Sequence, residues 1–330
     1  MNPLDIFDVP TLVVPPLTLE QLAAPATVDN PLLPVPVNWH QLWARETNND
    51  WLVEDFWPVG RQLHIFAPRK AKKSLVTLWI AANLAKGFDP FTGRPCNPQT
   101  VVYLDHEMTE DDVLERLEAF GFLPDQLHGL SYYLLPSMPP LDTVEGGERL
   151  MQLVERDHAT AVIIDTLSRV VKGDENSNDT YQAFFAHTGR RLKQAGISMA
   201  RLDHEGHEAG RSRGASAKAD DVDVVWRLQA TDDGVALVRK ASRISWVPER
   251  IDLTQREEPL SFSSGLQSWP AGTAAKAKQL DGAGVPLNAT KRQAIELLKS
   301  AGVEVGREAL LLKALRHRQI AAVGFGLVAK

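Results

Sequence analysis

An α/β domain built on a mostly parallel sheet is predicted by three observations. Apolar runs of strand length alternate with runs of helix length from Leu63 to Leu253. The early strands each close on a polar or charged group. Gln62–Ala67 runs into the lysine-rich Ala67–Ser74, the next ends in Tyr103–Glu107, another in Ile163–Thr166, and a later one in Asp203 and His204. In a parallel sheet those C-terminal ends share one edge, so the polar groups converge on one crevice.

The elements follow in order. Residues 1–37 are rich in Pro, including Pro10, Pro15, Pro16 and Pro25, and lack helical or strand periodicity; they read as an extended N-terminal arm, with Leu12–Leu17 its docking piece. Trp39–Trp57 holds four of the eight Trp, a density that predicts a packed cap on the core. The strands expected next are Leu63–Ala67, Thr100–Leu104, Ser131–Leu135, Ala161–Ile164, Gly196–Leu202, Asp223–Gln229 and Gly234–Arg239. The helices are Lys73–Lys86, Thr109–Phe120, Thr143–Asp157 and Tyr181–Ala195. Asp232-Asp233-Gly234 joins the last two strands as an antiparallel hairpin at the sheet edge. The core therefore spans 38–256. Residues 257–286 are rich in Ser, Gly and Ala and read as a linker. Residues 287–330 carry eight Lys/Arg against three Glu and predict two amphipathic helices, Thr290–Ser300 and Arg307–Arg318, a small basic module with a winged-helix-like start.

Composition bounds the function. A net charge of −6 gives no global basic field for nucleic acid, though a local patch is compatible with it. The single Cys, Cys96, excludes an intrachain disulfide and a Cys-rich zinc site and points to a reducing, cytoplasmic setting. No signal peptide and no membrane span are expected. Asp203-His204-Glu205-x-His207 lacks the His-Glu-x-x-His spacing on a helix, so zinc is discounted.

The strongest local signal is the loop between the first strand and its helix. In the pattern G-x-x-x-x-G-K-[ST] backbone N–H groups cradle phosphates, Lys reaches their oxygens and the hydroxyl holds Mg²⁺. Here Lys73 and Ser74 match, whereas Ala67 and Lys72 stand where the glycines belong. Gly in the second place lets the backbone take unusual dihedrals and approach the phosphate, so Lys72 is expected to crowd that approach. Yet Lys70, Lys72 and Lys73 are cations at a helix N-terminus, where they oppose the helix dipole, and a bound anion resolves that conflict. The expected nucleotide contacts are Ala67, Pro68, Arg69, Lys70, Ala71, Lys72, Lys73, Ser74 and Leu75.

Taken together, Trp51–Glu54, His64–Ser74, Val101–Glu107, Val162–Thr166 and Asp203–Trp226 resemble the RecA-fold ATPases of the plasmid replicative-helicase RepA type, the AAA_25 group, over nearly all of residues 50–255. The resemblance implies a RecA-like P-loop NTPase core that uses ATP and Mg²⁺. By the same resemblance Glu107 polarises the attacking water and Asp165 holds Mg²⁺ through the shell of Ser74. His204 senses the γ-phosphate and signals to the loop Arg213–Lys218. Lys240 and Arg243 reach a neighbouring subunit's nucleotide, although the relatives' spacing is Lys-x-Arg and this chain has one residue more. Bland readings stay open: a helix or turn cap at a strand end for Asp165, a surface acid beside the Met108-Thr109 helix start for Glu107, a loop cap for His204, an ordinary basic turn for Lys240 and Arg243.

The reading is a ring-forming, helicase-type motor ATPase, expected to be hexameric, acting on single-stranded DNA in phage or plasmid replication. Arg211, Arg213 and Lys218 are its expected DNA contacts, because flexible cations suit phosphates. One alternative keeps the fold without turnover: a nucleotide- and DNA-binding scaffold with Lys72 as the lesion. The other is a metal-dependent nuclease using Asp105, Glu107, Asp165 and Asp203.

Overall fold

The computed structural model describes residues 35–44, 50–206, 217–264 and 273–326. Most of the expected N-terminal arm and the cations Arg211 and Arg213 lie outside these residues. The chain divides into two units, 1–49 and 50–330. In the first, the described part is one short helix, α1 (Trp39–Ala44), on which Trp39 and Trp43 are exposed.

The second unit begins with a small antiparallel ribbon, β1 (Trp51–Val53) and β2 (Trp57–Pro58). Then follow β3 (Gln62–Ala67), α2 (Lys73–Lys86), β4 (Val101–Asp105), α3 (Glu110–Ala119), β5 (Leu130–Leu134), α4 (Val144–Arg156) and β6 (Ala161–Asp165). Next, α5 (Asn178–Phe184) and α6 (Arg190–Gln194) are joined by a π-helical turn, Phe185–Gly189, and lead to β7 (Ser198–His204). The chain continues through α7 (Ala217–Asp220), β8 (Val224–Thr231), β9 (Gly234–Ser242), β10 (Arg250–Glu257) and β11 (Leu260–Ser263). Three helices follow, α8 (Thr273–Gly282), α9 (Lys291–Ser300) and α10 (Glu308–Gly326).

The expected α/β class is what forms. Nine strands make one sheet in the order β11-β10-β9-β8-β3-β7-β6-β4-β5, parallel from β5 to β8 and antiparallel beyond. Alternate residues feed opposite faces, as the two-residue pleat requires. Leu63, Ile65, Tyr103 and Ile163 join α2 on one face, while Val102, Leu104, Val162 and Ile164 join α4, α5 and α6 on the other. Covering on both faces explains why β4 and β6 are apolar without alternation. The helix α2 is buried nearly all round and stops at Gly87, whose φ of 86° and tight contacts with Pro98 and Cys96 leave no room for a Cβ.

Several expectations change. The β8–β9 hairpin turns at the predicted Asp232–Gly234, but it is not the edge: β10 and β11 extend the sheet past it. The expected linker 257–286 therefore holds strand β11 and helix α8. The strand leading into it, β10, is itself sparse in apolar residues because it buries one face only, through Ile251 and Leu253. Trp51 and Trp57 pack as the cap reading expects, whereas Trp39 and Trp43 are exposed. The C-terminal helices have a hydrophobic cluster of their own, built on Leu280, Leu298, Leu311 and Leu315. Among the described residues no strand follows β11, so the winged-helix comparison finds no wing. Arg316 ties the module to the core by donating to Glu54 at 3.1 Å and lying 5.1 Å from the Trp51 ring centroid.

Candidate nucleotide-binding site

Parallel pairing puts the C-terminal ends of β3, β4, β6 and β7 on one edge, with Ala67 opposite His204 and Asp105 opposite Asp165. A pocket at that edge is lined by Pro68–Leu75 together with Glu107, Arg116 and His204. The sequence-predicted phosphate loop, water-side acid and sensor histidine are thus brought together.

The loop turns through an Ala71 N–H to Pro68 carbonyl bond of 3.2 Å. Lys70 and Lys72 both have left-handed backbones, with φ of 64°. Alternation with left-handed residues gathers successive N–H groups into an anion-binding concavity. Lys72 has therefore taken the conformation for which the motif supplies Gly, at a cost of about 1–2 kcal/mol for an L-residue. Its ammonium reaches across to Gln255 on β10, donating at 2.6 Å. The helix α2 starts on Lys72 with no side-chain cap and no acid in its first turn, so its leading N–H groups keep their positive end for a ligand.

Lys73 is 6% exposed and donates to Asp165 Oδ1 at 3.2 Å; Asp165 is fully buried. The other oxygen, Oδ2, accepts from the Tyr103 hydroxyl at 3.1 Å. Asp165 thus lies behind Lys73, beneath the pocket. Glu107 sits at the mouth, Oε1 3.5 Å from His204 Nε2. That histidine hydrogen bond, helped by the Lys73 charge and opposed by partial burial, holds the Glu107 carboxyl below its ordinary value. The Glu107 N–H donates to Asp105 Oδ1 at 2.8 Å, which fixes the turn carrying it. His204 Nδ1 is buried and unpartnered.

Sequence reasoning missed Arg116. On α3 it looks like a solvated cation, but it lines the pocket, and its Nη1 is buried with no protein partner. Its place on the helix leaving the Glu107 turn is the one signal that could have raised it.

Other expected residues lie elsewhere. Lys218 is fully buried and donates to Asp203 Oδ2 at 2.6 Å, with its ammonium 4.7 Å from the Tyr181 ring centroid. The DNA-contact reading of Lys218 is corrected: its cation belongs to a buried ion pair. Lys240 and Arg243 lie away from the pocket. Lys240 lines a separate surface groove with Arg239 and Glu249, and the Arg243 guanidinium donates to the Asp220 carbonyl. Nor are the four carboxylates of the nuclease alternative gathered. Asp105 accepts from Tyr132 and two backbone N–H groups, Asp203 is held by Lys218, and among the described residues no cluster of three or more His, Cys, Asp or Glu could hold a metal.

A family model of the AAA domain, AAA_25, matches residues 29–210. The chain belongs to this AAA domain family. It is a nucleotide-binding P-loop ATPase domain with a RecA-like core and C-terminal helices appended. The matched span contains the phosphate loop, Glu107, Arg116, Asp165 and His204, and ends before Lys218, Lys240 and Arg243. No curated protein matches the chain. No described helix is long and apolar enough to cross a membrane.

The residues present fit a magnesium nucleotide. The loop offers a left-handed backbone cradle, an uncapped helix start and cations. His204 Nδ1 and Arg116 Nη1 are polar atoms in need of a partner. Ser74 and Asp165 are hard oxygen donors, few in number, as suits a Mg²⁺ that takes its remaining ligands from phosphate and water.

Proposed function

We propose that this protein is an ATP-binding, RecA-like motor ATPase that assembles as a hexameric ring and works as a helicase-type protein on single-stranded DNA in phage or plasmid replication. The single observation that carries the ATPase reading is the convergence of Lys73, Glu107, Arg116 and His204 on one pocket at the sheet edge. The ring, the DNA and the replication setting rest on the resemblance to replicative helicases.

In this reading the loop N–H groups and Lys73 hold the phosphates, which requires Lys73 to leave Asp165. Ser74 and Asp165 hold Mg²⁺, which when bound offsets charge on the phosphate oxygens. Glu107 is ionised at neutral pH and orients the attacking water, and His204 keeps that carboxylate facing the pocket. Arg116 reaches a phosphate oxygen with its free Nη1. Lys240 and Arg243, outside the pocket, serve a neighbouring subunit's nucleotide, so hydrolysis depends on assembly. The cations Arg211 and Arg213 contact DNA.

A second reading, a nucleotide-gated DNA-binding scaffold, is favoured by one feature: the strained, Gln255-tethered Lys72. One experiment separates the two. A fluorescent ATP analogue is titrated into wild type, Lys73→Ala and Glu107→Gln, and turnover is measured with and without single-stranded DNA. Loss of binding in Lys73→Ala, with binding retained and turnover lost in Glu107→Gln, is the expected result. Unchanged affinity in Lys73→Ala refutes the phosphate site; a wild type inactive under every DNA condition refutes the catalytic role of Glu107.

A further inference from the structure

Behind the pocket two tyrosines form a pair that the reading above does not use. Tyr103 on β4 and Tyr132 on β5 face each other in register, with ring centroids 4.7 Å apart and planes inclined by 21°. Tyr103 is fully buried and its hydroxyl donates to Asp165 Oδ2 at 3.1 Å. The same hydroxyl lies 3.1 Å from Thr77 Oγ1, which bonds the carbonyls of Lys73 and Ser74 at 3.1 and 3.2 Å. The Tyr132 hydroxyl donates to Asp105 Oδ2, and Asp105 Oδ1 accepts from the backbone N–H groups of Glu107 and Met108. Each ring of the stack thus serves one of two neighbouring acids. Asp105 and Asp165 are themselves partners across β4 and β6.

We propose that Tyr103 is a positioning residue for the metal-binding carboxylate of Asp165, braced by its stack on Tyr132. The proposal rests on the reading of the pocket as a magnesium-nucleotide site. The physical argument is one of competing partners. Asp165 has a phenol on one oxygen and the Lys73 ammonium on the other. If Lys73 is to hold phosphate while Asp165 would hold Mg²⁺, something else must keep the carboxylate from turning with the lysine. A neutral donor on a fully buried, stacked ring does this without adding a cation that would repel the metal. Without the phenol, Asp165 keeps the Lys73 ammonium as its side-chain partner, and its carboxylate is free to turn with the lysine. Outer-shell donors of this kind are worth about 10–100-fold in metal affinity.

The test is Tyr103→Phe, which keeps ring, volume and stack and removes the hydroxyl. Affinity for a fluorescent ADP analogue is measured across a Mg²⁺ series and in excess EDTA, with no turnover needed. The expected result is a Mg²⁺ midpoint raised about tenfold with metal-free affinity unchanged. Thr77→Val, which cuts the link to α2 but leaves the Tyr103–Asp165 bond, should keep the wild-type midpoint. A Tyr103→Phe midpoint within about twofold of wild type overturns the proposal, set against the tenfold floor for such donors. So does a Thr77→Val shift as large as that of Tyr103→Phe, which would mean general softening of the buried network. Should Tyr103→Phe not fold, Tyr132→Leu, at a half-buried position, frees the ring instead and must move the midpoint in the same direction; no shift overturns the proposal. A wild type whose nucleotide affinity ignores Mg²⁺ brings down the magnesium-site reading and the proposal with it.

Discussion

Lys218→Met separates a lysine that contacts DNA from one that completes a buried ion pair. Read as a DNA contact, Lys218→Met would weaken binding and reduce the salt slope by about one counterion while leaving stability alone. Read from the structure, it removes one half of a buried ion pair whose members are 0% and 1% exposed and 2.6 Å apart. The surroundings are dry: burial pulls the neighbouring Arg201 guanidinium down to about 10, against the opposing pull of Asp221 and Asp203. Asp203 would then be left with the His204 N–H as its close donor, at 2.8 Å. Stranding one member of a buried pair costs about 3–5 kcal/mol. At roughly 2–4 °C per kcal/mol for a domain of this size, the melting temperature falls by on the order of 10 °C. The assay is urea unfolding of wild type, Lys218→Met and the double variant Asp203→Asn/Lys218→Met. The double variant should recover much of the loss, because a pair removed together leaves no uncompensated charge. A Lys218→Met protein within about 1 kcal/mol of wild type, with a salt slope reduced by about one, refutes the buried-pair reasoning.

Two further predictions follow from the backbone and from burial. Lys72→Gly relieves a left-handed lysine, so about 1 kcal/mol released in the rate-limiting step raises the saturated ATP turnover roughly fivefold. The lost cation should weaken apparent affinity, and steady-state kinetics showing an equal or lower saturated rate would mean the loop has adapted to its lysine. His64 is fully buried with both ring nitrogens unpartnered; burial first, then Arg201, Lys218 and Lys73, push its imidazole well below the ordinary range. The unfolded chain therefore takes up a proton below about pH 6.5 that the folded chain refuses, and stability falls with pH from there at up to about 1.4 kcal/mol per unit. His64→Phe should flatten that slope in urea melts at stepped pH, and an unchanged slope would show that other groups carry it.

Much of the fold was legible because both faces of the parallel sheet are covered. Full burial writes itself into sequence as unbroken apolar runs such as Ala161-Val162-Ile163-Ile164, and the polar residues ending them mark the edge where the site lies. The helix after the phosphate loop was legible to the residue, Lys73–Lys86. The β10–β11 hairpin was not, because a strand buried on one face through Ile251 and Leu253 among Arg, Asp, Gln and Glu resembles a polar connection. Helix α8 was hidden by its Ala- and Gly-containing composition, although Ala, Lys, Gln and Leu are good helix formers. Arg116 and Lys218 failed for a tertiary reason. A cation's sequence neighbours do not say whether its head meets water, a ligand pocket or a buried acid.

The two departures from the motif pattern are best understood as backbone questions. At Lys72 the loop keeps the left-handed geometry that Gly would supply and sends the added side chain to Gln255, so the loss of Gly is a matter of strain and not of shape. At the head of the Lys240–Arg243 stretch the strand itself is irregular. Arg239 pairs with Trp226 and Ala241 with Val225, leaving Lys240 as the unpaired residue of a β-bulge. A bulge adds a residue without adding its full rise of about 3.3 Å and re-aims the side chains beside it. Lys240 is turned out of the ladder and exposed, as a contact with a second subunit requires. That exposure suits the trans role proposed for Lys240, whereas Arg243 would have to release the Asp220 carbonyl before it could serve a second subunit.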